Sequence, residues 1–396
     1  MCVFFFFAPS DIIKKEVAMT RLERLVEYCR GVYNKEDGKT LYDRYLSDIK
    51  SITPEELIMV ENEQLKLGLT PKDMLTFVDK LINVFYESLS SHAYKGQYPD
   101  FIQILIAENK GLTNILDDFK VHLYASKKPA DTLIDEFVDS LLLYNPHMEK
   151  IENIIFSYME KKADHFDGLK IMWSLHDDIR RSIKMLKHSE SWIKDVGKLY
   201  FLLHGAVKKQ ELILFPVMMN HIDGPSFEGM YDASFEYGFS YVEVPERRER
   251  KTSMNFDALS KIIQTETGSL SLEVLINILN ALPIDFTFVD ESDQVAYFND
   301  SKERIFPRSK SVIGRNVRNC HPPESVHVVE DILEAFKNKT KDKAEFWIQM
   351  KGLMIYIYYI PIYDNNGNYK GTLEISQELS KVRSLEGERR LLDWHN

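Results

Sequence analysis

Between Asn145 and Pro216 the chain repeatedly sets a histidine beside a carboxylate: His147 with Glu152, His176 with Asp177, and His204 with Glu211. Imidazole and carboxylate side chains that project inward from facing helices are the ligand types of di-metal sites in helical bundles. On a helix of 3.6 residues per turn, His204 and Glu211 share a face but stand about two turns, or ~10.5 Å, apart along the axis. One ion does not easily take both, whereas a pair of ions can. His147 and Glu152 are five residues apart and flank a groove instead of stacking. His176 lies on the face opposite the flanking Trp173 and Asp177. An ordinary reading stays open beside this one. The chain has 11 histidines, and most histidines of a helical protein are surface or satisfied core residues. The run Lys208-Lys-Gln-Glu211 reads equally well as a solvated face. Other chemistry finds little support. No Gly-x-Ser-x-Gly, phosphate loop or Gly-x-Gly-x-x-Gly precedes a helix, so an enzyme is not expected.

Helices must position these groups, and the apolar spacing predicts them. Residues 20–33 carry Leu22, Leu25, Val26, Cys29 and Val32 at helical intervals, with Thr20 as the cap. Helix continues over 41–49. Thr53, Pro54 and Glu56 form a capping-box start, and Thr70-Pro71 repeats the device. Residues 19–92 are therefore expected as a small all-helical unit. Further helices are predicted over 99–119, 132–144 with a restart at Asn145-Pro146, 168–189 and 191–220. Short connections between them predict an up-and-down four-helix bundle over 95–222. Residues 223–268 read as a linker. Its aromatic part, 230–244, commits to neither helix nor strand, and its polar part begins at Pro245.

From residue 271 the period changes. A helix over 271–281 precedes short strands at 286–289 and 295–298, a helix over 326–336, and strands at 344–350, 353–362 and 369–377. Asp364-Asn-Asn-Gly367 is a hairpin signal. The order predicts an α+β domain over 269–379, built on a five-stranded antiparallel sheet with helices on one face. Residues 380–396 read as a charged helical tail. The whole is a multidomain chain: an all-α N-terminal domain, a four-helix bundle, then the α+β domain.

Composition bounds the function. The 396 residues exceed one ordinary core, and 44% hydrophobic with 28% charged residues is the balance of a soluble globular protein. A net charge of -11 argues against binding nucleic acid by phosphate neutralisation. Cys2, Cys29 and Cys320 make no Cys-x-x-Cys spacing and no disulfide framework, which fits a reducing cytosol. No apolar run approaches the ~20 residues of a membrane span. The apolar run from Cys2 to Ala8 lacks the basic start of a secretory signal. Residues 1–18 are read as a disordered extension, with Met19 opening the ordered chain.

Three segments carry a resemblance: His147-Met-Glu-Lys-Ile-Glu-Asn-Ile-Ile-Phe156, Met172-Trp-Ser-Leu-His-Asp-Asp-Ile-Arg180, and His204-Gly-Ala-Val-Lys-Lys-Gln-Glu-Leu-Ile-Leu-Phe-Pro216. They look like the hemerythrin-like, cation-binding domain of bacterial three-part proteins. In those proteins a helical domain of unknown function precedes the bundle and a PAS domain follows it. The Ser51-Ile-Thr-Pro-Glu-Glu-Leu57 start is similar to that first domain. Leu282–Asn299, Ile305-Phe-Pro-Arg308, Asn319-Cys-His-Pro-Pro-Glu-Ser-Val326 and Gly371-Thr-Leu-Glu374 look closely like the PAS domain. The resemblance implies non-haem iron, possible as a di-iron pair, with ligands His147, Glu152, His176, His204 and Glu211. It departs from the family at Tyr98-Pro-Asp-Phe101, where the pattern has His-Pro-Val-His. Leu81 stands for a further histidine, and Arg180 follows His176 where a second histidine is usual.

PAS domains hold a small ligand between sheet and helices, and they often pair. Cys320 and His321 are the adjacent pair suited to haem or another metal cofactor. The alternative is a tight turn that buries Cys320, with Pro322-Pro323 opening the next helix. The reading implied is a cytosolic sensor of oxygen, nitric oxide or redox state. It would signal to a protein partner, possibly as a homodimer through the PAS domain. An iron-storage or metal-handling protein, and a metal-free scaffold or adaptor, are the alternatives.

Overall fold

In the computed structural model the described residues are 19–123, 128–162, 164–248, 261–302 and 304–388. The expected extension over 1–18 and the end of the expected tail fall outside them. The N-terminal helices are α1 (Arg21–Tyr33), α2 (Gly38–Ile49), α3 (Pro54–Lys66), α4 (Pro71–Leu75) and α5 (Val78–Ser91). Thr20, Thr53 and Thr70 each close a capping box, with Glu23, Glu56 and Asp73 returning the bond to the cap backbone. The reciprocal bonds satisfy amides that have no partner inside the helix.

Next come α6 (Asp100–Leu123), α7 (Asp131–Leu142), α8 (Asn145–Lys150), α9 (Phe156–Met159), α10 (Leu169–Leu186), α11 (Trp192–Lys209), α12 (Phe215–His221) and α13 (Gly224–Ser234). Two π-helical turns interrupt the expected continuous helices. Ile151–Ile155 joins α8 to α9, and Gln210–Leu214 joins α11 to α12. At each, an amide bonds five residues back, Phe156 to Ile151 and Phe215 to Gln210. Such turns are rare, occur mostly as single turns inside α-helices, and are frequent at functional sites. The aromatic stretch that sequence left undecided ends helix α13 and then runs irregularly across the bundle, with no strand among its described residues.

Packing does not divide at residues 92–95. One apolar core joins Leu25, Leu57 and Phe85 to Phe101 of α6, Phe156 and Phe215. A second joins Leu116 of α6 to Phe137, Ile179 and Leu199. Helix α6 crosses both cores, and at the level between them it presents Glu108 and Asn109, each fully buried. The other helices do the same at that level: His147 and Lys150 on α8, His176 on α10, and Gln210 after α11 are all buried. A polar layer thus separates two apolar compartments inside one helical body. No helix among the described residues is long and apolar enough to cross a membrane.

The C-terminal part opens with a hairpin, β1 (Ile262–Thr265) and β2 (Gly268–Ser271), that straddles the expected boundary between the linker and the α+β domain. Helix α14 (Leu272–Ala281) leads into the sheet: β3 (Asp285–Asp290), β4 (Val295–Phe298), then α15 (Val326–Lys337), β5 (Ala344–Met350), β6 (Leu353–Tyr363) and β7 (Tyr369–Glu378). The strand order is β4-β3-β7-β6-β5, with every pair antiparallel. This is the expected five-stranded sheet. Central strand β7 depends on Gly371, whose φ is +149° and where an added Cβ would meet the Val289 carbonyl oxygen and the Phe288 ring. Gly371→Ala is expected to destabilise the sheet by more than about 1 kcal/mol. Thermal unfolding followed by near-ultraviolet circular dichroism checks this.

Candidate functional site

The polar layer holds two charge centres. In the first, the Glu108 carboxylate takes Lys150 Nζ at 2.5 Å on one oxygen and His147 Nδ1 at 2.8 Å on the other. The Ser240 amide also donates to it, at 2.8 Å. Lys150 further donates to the Gly238 carbonyl, at 2.7 Å. His147 Nε2 meets the Gln210 amide at 2.9 Å, and its ring stacks on Tyr144. Tyr144 donates to Asn109, and Asn109 donates to Glu211. Burial alone would raise the Glu108 pKa, but the bond from His147 and the charge on Lys150 outweigh it. The group sits below the ordinary carboxylate range. Burial lowers Lys150, and Glu108 restores only part of that.

In the second centre, Glu152 takes His176 Nδ1 at 2.9 Å and Arg180 Nη2 at 2.8 Å. Arg180 also reaches Asn145 and Asp177. Burial would raise Glu152, but the Arg180 charge and the His176 bond hold it low. Burial lowers His176, offset in part by Glu152. Burial pushes Asp177 up to about 6, against the pull of Arg180. His176 Nε2 is buried and finds no hydrogen-bond partner among the described residues.

The five expected metal ligands do not converge as one set: Glu152 and His176 meet in the second centre, while His147 engages Glu108 in the first. His147 lies on α8 and Glu152 in the π-helical turn that follows it, and they engage different neighbours. Glu211 joins the edge of the first centre through Asn109, and burial raises its pKa. His204 lies about two turns from it along the helix, at the level of Tyr200 and the charges of Asp117 and Lys120. Among the described residues no group of three or more His, Cys, Asp or Glu side chains is arranged to hold a metal ion.

The donor set does not fit a di-iron centre. Lys150 and Arg180 supply fixed cations where such a centre needs free carboxylates, and Glu108 and Glu152 already carry two charged or imidazole partners each. Lys150 and Glu108 were not singled out from sequence, and Arg180 stood out only as a departure from the family pattern. Lys150 and Arg180 follow His147 and His176 by three and four residues, and that spacing was the signal available.

The second centre opens onto a cavity of about 690 Å³ between the helical body and the sheet. Volumes of this size accommodate small organic ligands. Val289, Val295, Val312, Val317 and Leu333 form an apolar wall, and Glu152, Trp173 and Arg180 close the space from the helical side. Across the sheet floor, Thr287, Glu374 and Tyr359 stand in one cross-strand row. Arg308 Nη2 donates to Glu374 at 2.8 Å.

Cys320 and His321 both line the cavity. The Cys320 thiol is raised by burial, and it faces the Asn316 carbonyl at the end of a 3-10 turn, Val317–Cys320. His321 is lowered by burial. The pair therefore presents a thiol and a neutral imidazole rather than a thiolate and a cation. A wider cavity of about 760 Å³ lies beyond Trp173 and His321, which border both spaces.

Arg315 fixes the two halves together. Its guanidinium, 1% exposed, grips Glu160 through two nitrogens at 2.8 and 2.9 Å. Its third nitrogen donates to the Glu152 carbonyl at 3.0 Å, and the group lies over the Trp173 ring. Lys161 donates to the Ser311 and Ile313 carbonyls, and Ser311 donates to the Asn153 carbonyl.

A family model described as a PAS domain matches residues 275–380. Among solved structures, a C-terminal domain from Streptococcus mutans is 34% identical, covers 32% of this chain and 99% of its own, and has a TM-score of 0.31. The PAS domain of a protein from Colwellia psychrerythraea is 23% identical over 28% of this chain and 98% of its own, with a TM-score of 0.23. A sensory box sensor histidine kinase from Vibrio cholerae is 14% identical over 27% of this chain and 89% of its own, with a TM-score of 0.21. No curated protein matches the chain.

Two outcomes follow from the charge centres. Glu108→Ala leaves Lys150 buried without its carboxylate and is expected to cost roughly 3–5 kcal/mol. Glu108→Leu combined with Lys150→Met should recover most of it, as read by urea unfolding. Asp177 is raised in the folded state, so its contribution is full below the unfolded value of 3.8 and is lost as pH rises through about 6. The stability advantage of Asp177→Asn over the wild type should therefore grow between about pH 4 and about pH 7. An advantage that is flat with pH would contradict this assignment.

Proposed function

We propose that this chain, which carries a PAS domain in its C-terminal part, is a sensory protein. It binds a small molecule in the cavity between sheet and helical body and passes the event to a protein partner. A PAS domain points to sensing and signalling. The observation that carries the rest is that Glu152, Trp173 and Arg180 of the helical body line the same space as Thr287 and Glu374 of the sheet. A ligand there touches both parts at once. Occupancy reaches the helical interior at Glu152, because that carboxylate also holds Arg180 and His176. A ligand shifts an equilibrium only through contacts that differ between its states, and a guanidinium shared between cavity and carboxylate supplies such contacts.

In this reading the helical body is a metal-free scaffold whose own cations balance its buried carboxylates. The reading in which it binds non-haem iron, and answers oxygen, nitric oxide or redox state, is favoured by one atom, the unpartnered Nε2 of His176. Metal analysis decides between them. Protein made in iron-replete medium and purified without chelator should carry substoichiometric iron. Stoichiometric iron that His176→Ala removes would establish the second reading instead.

The sensory reading has its own test. Val329 lines the cavity, so Val329→Trp fills part of it. Amide exchange over residues 145–186 should change in that variant. Unchanged protection there, with the sheet intact, would defeat the proposal.

A further inference from the structure

The polar floor of the cavity specifies what the ligand must offer. Thr287 is 98% buried, lines the cavity, and its hydroxyl finds no hydrogen-bond partner among the described residues. Arg308 Nε is likewise shielded and without a partner, although the same guanidinium donates through Nη2 to Glu374. Thr287 and Glu374 are paired residues on neighbouring strands, so their side chains share a face. The two idle donors therefore flank one carboxylate at the sheet end of a space walled by Val289, Val295, Val312, Val317 and Leu333. A buried donor without an acceptor is costly, and a ligand acceptor placed there would remove that cost.

Charge narrows the class. The two guanidinium groups that line the cavity are already balanced, Arg308 by Glu374 and Arg180 by Glu152, each at 2.8 Å. Glu149 adds a further carboxyl group on the helical wall. A ligand carboxylate would find no free cation and would sit beside Glu374. A ligand cation would offer Thr287 and Arg308 no acceptor.

We infer that the cavity takes an uncharged, largely apolar molecule whose single carbonyl oxygen is held by Thr287 Oγ1 and Arg308 Nε. The inference rests on the sensory reading above and adds the ligand's chemistry to it. The carbonyl accepts both bonds, and its chain lies along the valine-lined wall toward Trp173 and Arg180. Thr287 and Arg308 bind and orient; no bond is made or broken.

Calorimetric titration of the full chain tests this with 2-decanone, decanoate and decane as probes, each kept below its solubility limit. The ketone is expected to bind at one site, more tightly than either of the others. Thr287→Val should weaken the ketone roughly three- to tenfold, the size of one hydrogen bond. The same substitution should raise the thermal midpoint of the ligand-free protein, because it deletes a buried hydroxyl that has no partner. A purely structural threonine would not combine those two effects. Decanoate binding as tightly as the ketone, no ketone binding, or an affinity unchanged in Thr287→Val would each overturn the assignment. The sensory reading would survive all three, since its own tests are the Val329→Trp variant and the iron content.

Discussion

The cavity exists because one guanidinium is buried where two structural units meet. Arg315 leaves the sheet domain and ends against Glu160, the Glu152 carbonyl and the Trp173 ring. Removing such a cation from water costs several kcal/mol, and only close, well-directed partners offset it. The contact is therefore weak evidence for stability and strong evidence for register. Any sliding of the sheet domain along α9 would strand the charge. With Arg315 in place, Glu152 and Trp173 must face the space beneath the sheet.

The same logic runs through the helical body. Two apolar cores are separated by a layer in which Glu108 and Glu152 each have a cation and an imidazole. An apolar layer of the same volume would often be at least as stable. What the polar layer provides is specificity, because only one alignment of the helices pairs every charge. The second centre is the part of that layer that reaches the cavity, so packing order and ligand contact share the atoms of Glu152 and Arg180.

Much of this was legible in the residues. The three Thr-led helix starts, the change of period near residue 271 and the Asp364–Gly367 turn each have a local cause, and each appears in the fold. His147, His176, Glu152 and Glu211, read from sequence as inward-facing metal ligands, lie at the polar level of the helices. Which neighbours they meet was not legible, because that depends on Glu108, Lys150 and Arg180 arriving from other helices or other turns. His204 shows the limit of face-sharing as an argument. Two side chains can lie on one face of a helix and still occupy different storeys. The cavity floor was half visible: the segments around Arg308 and Glu374 stood out, but their pairing across 66 positions is a tertiary fact. The hairpin of β1 and β2 was hidden by polar composition, since its strands bury almost nothing.

The π-helical turns at Ile151–Ile155 and Gln210–Leu214 carry one consequence for how this chain is compared with others. Each behaves as a single extra residue inserted into a regular spiral. Every position downstream is then advanced by one step relative to an uninterrupted helix, a rotation of about 100°. An alignment that assumes constant pitch will match the right residue types before each insertion and the wrong compass bearing after it. Equivalences drawn through Phe156 or Phe215 should be counted afresh from the far side of the insertion.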